Sequence, residues 1–428
     1  MHSNHFQHPA IFDAQTRVQL QRHPDLWFDD GSVVCRAQNT LFRVHVSQLS
    51  RHSVCFRDVF VVGTSTDPAT SASIVHEDGS NAFEDCPVVI LHDSAEDVGN
   101  LFTALYDGPK FGNNDREDFR MVSGILRLAT KYIIEKLREK ALAHLSIAWP
   151  STLKGWDARE DVARTFEMET GNPGRHFYPS PISVINLARQ IDALSLLPAA
   201  FYDLSRYPFS QIFEQDEDNG LYVNQLSDTE PCSSSSASQS SLSLLDTQRL
   251  CLGKESVQHT ITSLIQAMRL SQTIRNTTQY QTVFSLSHPL AVPNTANPFA
   301  ISPHPHRYRR SPSSFVCISA AACRKDFNEL VDLATQHYIF DRERGCCDPL
   351  YVAEELGQLK SSEFSNFESP ECKACARSLE MWAAKERERM WKGMPSWFGL
   401  SHNVGSTSSG SEETRTPPTI DIIIHGHP

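Results

Sequence analysis

The sequence predicts an α+β protein, with a small mixed sheet flanked by helices followed by a mostly α-helical region interrupted by disordered linkers. Three observations carry this. Asp25 to His45 contains three short apolar or alternating runs, separated by Asp29-Asp30-Gly31 and Gln38-Asn39, the pattern of an antiparallel meander. Directly after His45 the apolar period becomes helical through Val46, Leu49, Phe56, Val59 and Phe60. Beyond Ser94 almost every periodic segment is helical.

Residues 1–20 are polar and His-rich and read as a flexible tail. Asp25-Leu26-Trp27-Phe28, Ser32 to Ala37 and Leu41 to His45 supply the strands. Ser53 is placed to cap the second of two short helices. Residues 61–86, rich in Ser, Thr, Asp and Gly, read as a flexible insertion. Pro87 to Leu91 is short, apolar and bounded by breakers, which suits a buried strand. Ser94 and Asp97 form a capping box ahead of a helix with Val98, Leu101, Phe102, Leu105 and Tyr106 on one face, stopped at Asp107-Gly108-Pro109. A helical pair follows, with Val122, Ile125, Leu126, Ala129, Tyr132 and Ile133 on its first member and Leu137, Ala141, Leu142 and Leu145 on its second.

The remainder divides by composition. Residues 148–213 read as a helical extension, with Val184, Leu187, Ala188, Ile191 and Leu194 on one face. Residues 214–241 are an acidic, then Ser-rich linker. Residues 242–288 are helical with a break at Gly253, and 289–313 form a Pro-rich linker containing Arg307-Tyr308-Arg309-Arg310. Residues 314–400 form a Cys-containing block of three helices, Ala320 to Tyr338, Leu350 to Leu359 and Cys372 to Trp391, onto which Trp391, Trp397 and Phe398 fold back. Residues 401–428 read as a disordered tail.

The N-terminal pattern resembles the BTB/POZ domain over residues 21–147. Asp25-Leu26-Trp27-Phe28 matches the family's opening strand. Phe42-Arg43-Val44-His45 matches the strand that ends on His, although Val46 stands where the family has a basic residue. Leu49, Ser53, Phe56, Arg57, Val59 and Phe60 match the helical block after it. Val88 to Leu91, Leu101 to Gly108 (with Leu105 and Tyr106) and Leu128 to Tyr132 (with Ala129) match the later blocks. The layout is similar to the expanded basidiomycete group of BTB proteins. The resemblance implies a non-enzymatic docking protein that associates with itself or other proteins, with Leu26, Phe28, Leu49, Phe56 and Phe60 in the candidate surface. It further implies an adaptor for a cullin-type ubiquitin ligase, for which Val75-His76-Glu77 offers the apolar-x-Glu contact element, or alternatively a transcriptional or chromatin regulator.

Composition agrees with a protein-binding role. The net charge of −12 disfavours a nucleic-acid partner, whose phosphates need a basic face. No run of about twenty apolar residues marks a membrane span. With no secretory pattern at the N-terminus, the cytosol or nucleus is expected, and the 11 Cys are expected as thiols.

No nucleophile elbow, phosphate loop or His-Glu-x-x-His occurs, so no catalytic residue and no organic cofactor is assigned. Asp29-Asp30 are explained by turn chemistry. His45 is read as a structural imidazole tying strand to helix. Cys372 and Cys375 have the spacing of a half zinc site. Cys317, Cys323, Cys346, Cys347 and His337 lie in the same block, and the alternative is that the pair are small buried hydrophobes.

Overall fold

A computed structural model describes residues 10–62, 74–76, 86–171, 177–213, 241–277, 320–341, 345–358, 372–400 and 423–425. The chain divides into two compact units, residues 1–248 with 399–428, and residues 249–398.

The first unit is built on a sheet of β1 (Ile11–Asp13), β2 (Gln19–Trp27), β3 (Val33–Ala37), β4 (Thr40–Val44), β5 (Ile74–His76), β6 (Val88–Leu91) and β7 (Ile423–His425). Their order is β5-β1-β2-β4-β3-β6-β7. The five strands from β2 to β7 in that order are mixed: β2 runs parallel to β4, β4 antiparallel to β3, β3 parallel to β6, and β6 antiparallel to β7. The central strand β3 is apolar at successive positions because both its faces are covered. Val33, Cys35 and Ala37 join Phe42, Val44, Val89 and Leu91 in the main core. Val34 joins Leu41, Val88, Ile11 and Leu20 in a second cluster.

The main core is closed by α1 (Val46–His52), α2 (Val54–Val62), α3 (Ala95–Tyr106), α4 (Arg116–Lys131) and α5 (Glu135–Ala148). Ser94 caps α3 by accepting from the Asp97 amide, and Asp115 caps α4 by accepting from the Asp118 amide. The unit continues through α6 (Leu153–Thr170), α7 (Pro181–Gln190), a 3-10 turn at Leu194–Leu196, α8 (Leu197–Ser205) and α9 (Phe209–Phe213).

The expected meander is replaced by a different connection. β3 and β4 form the hairpin about Gln38-Asn39, but β2 pairs with β4 in parallel, so β4 lies between β2 and β3. The chain from Phe28 to Ser32 crosses the end of β4, where the Phe28 amide donates to the Arg43 carbonyl and the Ser32 amide to the Val44 carbonyl. Gly31 makes this crossing fit, since a Cβ there would stand 2.8 Å from Arg43 Cγ and 2.9 Å from the Phe28 carbonyl oxygen. β2 also begins before the expected Asp25. Its register shifts between Arg22 and Trp27, around Pro24, which has no amide to give the ladder. His23 Nδ1 accepts from the amides of Asp25 and Leu26 at 3.2 Å and holds this bulge.

Other expectations are corrected too. Residues 11–20 of the expected flexible tail form β1 and the start of β2, because Ile11 and Leu20 have Val34, Leu41 and Val88 to pack on. Residues 74–76 of the expected insertion form β5, paired to β1. In the expected tail, residues 423–425 form β7 on the edge of β6. The domain and its helical extension, expected as separate pieces, fall within one unit.

The second unit contains most of α10 (Leu244–Thr277), with α11 (Ala320–Thr335), a π turn at Gln336–Phe340, α12 (Pro349–Gln358) and α13 (Lys373–Trp397). Val257, Ile261, Ile265 and Met268 recur every three or four residues along α10 and meet Phe327, Leu330 and Val331 of α11, Val352 and Leu356 of α12, and Leu379 of α13. Gly253 does not break α10. Phe398, fully buried, lies against it where a Cβ would be 1.9 Å from Cε1 of the ring. The Pro-rich linker with Arg307 to Arg310 lies outside the described residues.

Candidate functional site

Six of the residues that carry the family resemblance, Phe28, His45, Ser53, Phe56, Tyr106 and Tyr132, take part in two anchoring networks. His45 follows β4 directly and stands at the N-cap position of α1. Its amide donates to the Tyr106 hydroxyl at 2.9 Å, and its Nδ1 lies 2.9 Å from the same oxygen. The hydroxyl thus bonds both the backbone and the ring of His45, and Nε2 on the far side of the ring lies 3.3 Å from Asp30 Oδ1. Phe28 stacks on Tyr106 with ring centroids 4.8 Å apart. His45 thus ties the strand end to α3, and Asp30 of the turn belongs to the same group.

The second network centres on Ser53 and Tyr132. The Ser53 hydroxyl donates to the Tyr132 carbonyl at 2.6 Å and accepts from the Phe56 amide at 3.0 Å, joining α1, α2 and the end of α4. The Tyr132 ring stacks on Phe56 with centroids 4.6 Å apart. Its hydroxyl donates to Asp93, which also receives Lys131 Nζ at 2.7 Å. Burial, and then the Asp93 carboxylate, push the Tyr132 phenol well above its usual range, so it stays a donor. Cys35, buried in the sheet, is pushed up to about 12 by burial and is a packing thiol, not a nucleophile.

These positions separate the core members of the candidate docking surface from the rest. Leu26, Leu49 and Phe56 are core, as are Leu101, Leu105 and Ala129, while Phe28 and Phe60 are half-buried against that core. Among the described side chains of the helical pair, the exposed apolar one is Val54, the first residue of α2. Asp25 is exposed, and its amide completes the His23 turn. Val75 lies in β5 paired opposite Phe12, whereas Glu77 is outside the described residues.

Two ionic groups had no signal in the sequence. Asp13 accepts from the amides of Gln15 at 2.9 Å and Thr16 at 2.7 Å and pairs with Arg36 of β3. Partial burial pushes its pKa up, but the hydrogen bonds from Thr16, Arg36 and Gln15 outweigh this and hold the carboxyl at about 2. In the helical extension, buried Arg159 donates to Asp203 at 2.5 Å and Glu160 at 2.6 Å, and Arg206 bonds the same two carboxylates. The Arg159 guanidinium lies 4.4 Å from the Tyr178 ring and 4.6 Å from the Trp156 ring. Two cations and two anions compensate one another there, an arrangement suited to holding α6 on α8.

In the second unit, Cys323, Cys372 and Cys375 bring their sulfur atoms within 4.8 Å of one another. Cys323 projects from the first turns of α11. Cys372 caps α13, and its carbonyl accepts from the amides of Cys375 at 2.9 Å and Ala376 at 3.0 Å. Cys323 and Cys372 are buried and Cys375 is partly so. This triad could hold a metal ion. Of the other residues expected nearby, Cys346 and Cys347 lie elsewhere in the unit with sulfurs 3.7 Å apart, their loop held by Gln258. His337 packs edge-on to Tyr338. Cys317 is outside the described residues.

No family model and no curated protein matches the chain. Among the described residues no helix is long and apolar enough to cross a membrane.

Proposed function

We propose that the chain is a non-enzymatic docking protein of the BTB/POZ type, working in the cytosol or nucleus. Its first unit associates with a second copy and with protein partners. The observation that carries this reading is the element order β3-β4-α1-α2-β6-α3-α4-α5. In it His45, Ser53, Phe56, Tyr106 and Tyr132 serve as anchors between elements. Side chains committed to joining elements leave function to the outer face of the unit.

A cullin scaffold is the first partner to try, with Val75 on the edge strand β5 as the contact named by the resemblance. Light scattering of the full chain at micromolar concentration, with and without a cullin N-terminal region, tests the proposal. Self-association together with a mixed complex is expected. A chain that stays monomeric and gives no complex contradicts it.

A further inference from the structure

We infer that Cys323, Cys372 and Cys375 form a zinc-binding clamp that joins the start of α11 to the start of α13. The inference is independent of the docking reading, because the clamp lies in the other unit. The donor chemistry fits. Zinc takes thiolates at about 2.3 Å in a tetrahedron, which sets neighbouring sulfurs roughly 3.8 Å apart. The three sulfurs are within 4.8 Å of one another before any ion draws them in, so the required contraction is about 1 Å at most. Cys372 and Cys375 come from one turn, and Cys323 comes from a different helix. An ion there therefore crosslinks segments far apart in sequence.

The helix dipole favours two of the donors as thiolates, while burial of Cys323 and Cys372 opposes a charge that no ion offsets. Cys372 and Cys375 stand at the N-terminus of α13, a helix of 25 residues, where the helix dipole stabilises thiolate. Binding releases three thiol protons and leaves a zinc tristhiolate of net charge −1, with its fourth position available to water or another ligand. Three thiolates select soft ions, and zinc does so without redox change. A clamp closing so long a loop ties zinc occupancy to the stability of the second unit.

The test uses the full chain, purified under reducing conditions, incubated with zinc sulfate and desalted. Elemental analysis is expected to give about one zinc per chain. Cys323→Ser and Cys375→Ser should each lower occupancy at least about tenfold, whereas Cys347→Ser should leave it unchanged. Should a serine variant fail to fold, the wild-type chain still decides the matter. Zinc should protect Cys323, Cys372 and Cys375, mapped by mass spectrometry, from a maleimide that labels them once a chelator is added. Less than about a tenth of a zinc per chain after loading overturns the clamp. So does full occupancy in Cys323→Ser, protection of other cysteines instead, or a disulfide within the triad in the reduced preparation. Light scattering on the same samples keeps the two proposals apart, since loss of zinc with self-association intact rejects only the clamp.

Discussion

Ser53 and Tyr132 are 79 residues apart in sequence and joined by a 2.6 Å hydrogen bond inside the protein. Ser53→Ala removes the cap of α2 and leaves the Tyr132 carbonyl without that donor, which should cost about 1–3 kcal/mol in denaturant unfolding. Tyr132→Phe keeps the ring on Phe56 and loses only the bond to Asp93, which Lys131 still neutralises. A smaller loss, about 1–2 kcal/mol, is expected. Equal and negligible losses would show that the network does not stabilise the unit. Asp13 brings a pH dependence whose sign is fixed by its lowered carboxyl. Its stabilisation is complete above the ordinary value of 3.8 and is lost as pH falls toward about 2. Asp13→Asn should therefore lower stability at neutral pH by about 1–2 kcal/mol, and the difference from wild type should shrink as pH falls through that window. A difference independent of pH would contradict the account. Ser53 was legible in the sequence because a cap has a local signature. Asp13 was not, because its partner Arg36 arrives from another strand.

Among the elements, α3, α4 and α5 were legible from apolar periodicity and Ser94 with Asp97. The start of β2 was missed because residues 19–24 are mostly polar and Pro24 has no amide for the ladder, and only the tertiary pairing with β4 shows the strand running through a bulge held by His23. The β3–β4 hairpin had its turn written locally, but the crossing from β2 over the end of β4 depends on contacts at Gly31 that no local pattern encodes. Gly253 gives the sharpest element-scale prediction. In an exposed helix Gly→Ala stabilises by about 1 kcal/mol. Here the new methyl would meet the Phe398 ring, and Gly253→Ala should instead destabilise the second unit by about 1–3 kcal/mol, read by its thermal unfolding. Stabilisation would show that Phe398 does not seat against α10.

For the whole molecule, the helical extension read after the sheet domain falls, as α6 to α9, in the same compact unit as the sheet. The reason is again long-range: Arg138 of α5 donates to the Ile191 carbonyl after α7, and the Phe119 ring of α4 meets the Trp149 ring. Cys372 and Cys375 were legible as a half-site from spacing, but Cys323 could be singled out from the other cysteines only by its position. The central claim is that the first unit presents a docking face to a second copy and to other proteins, and among the described side chains Val54 is the exposed apolar residue of its α1–α2 pair. Light scattering of the full chain across micromolar concentrations, beside Val54→Glu, tests it most directly. A mass rising toward twice that of one chain, with the rise weakened in Val54→Glu and the fold unchanged, is the predicted result. A mass that stays at one chain at every concentration would contradict it.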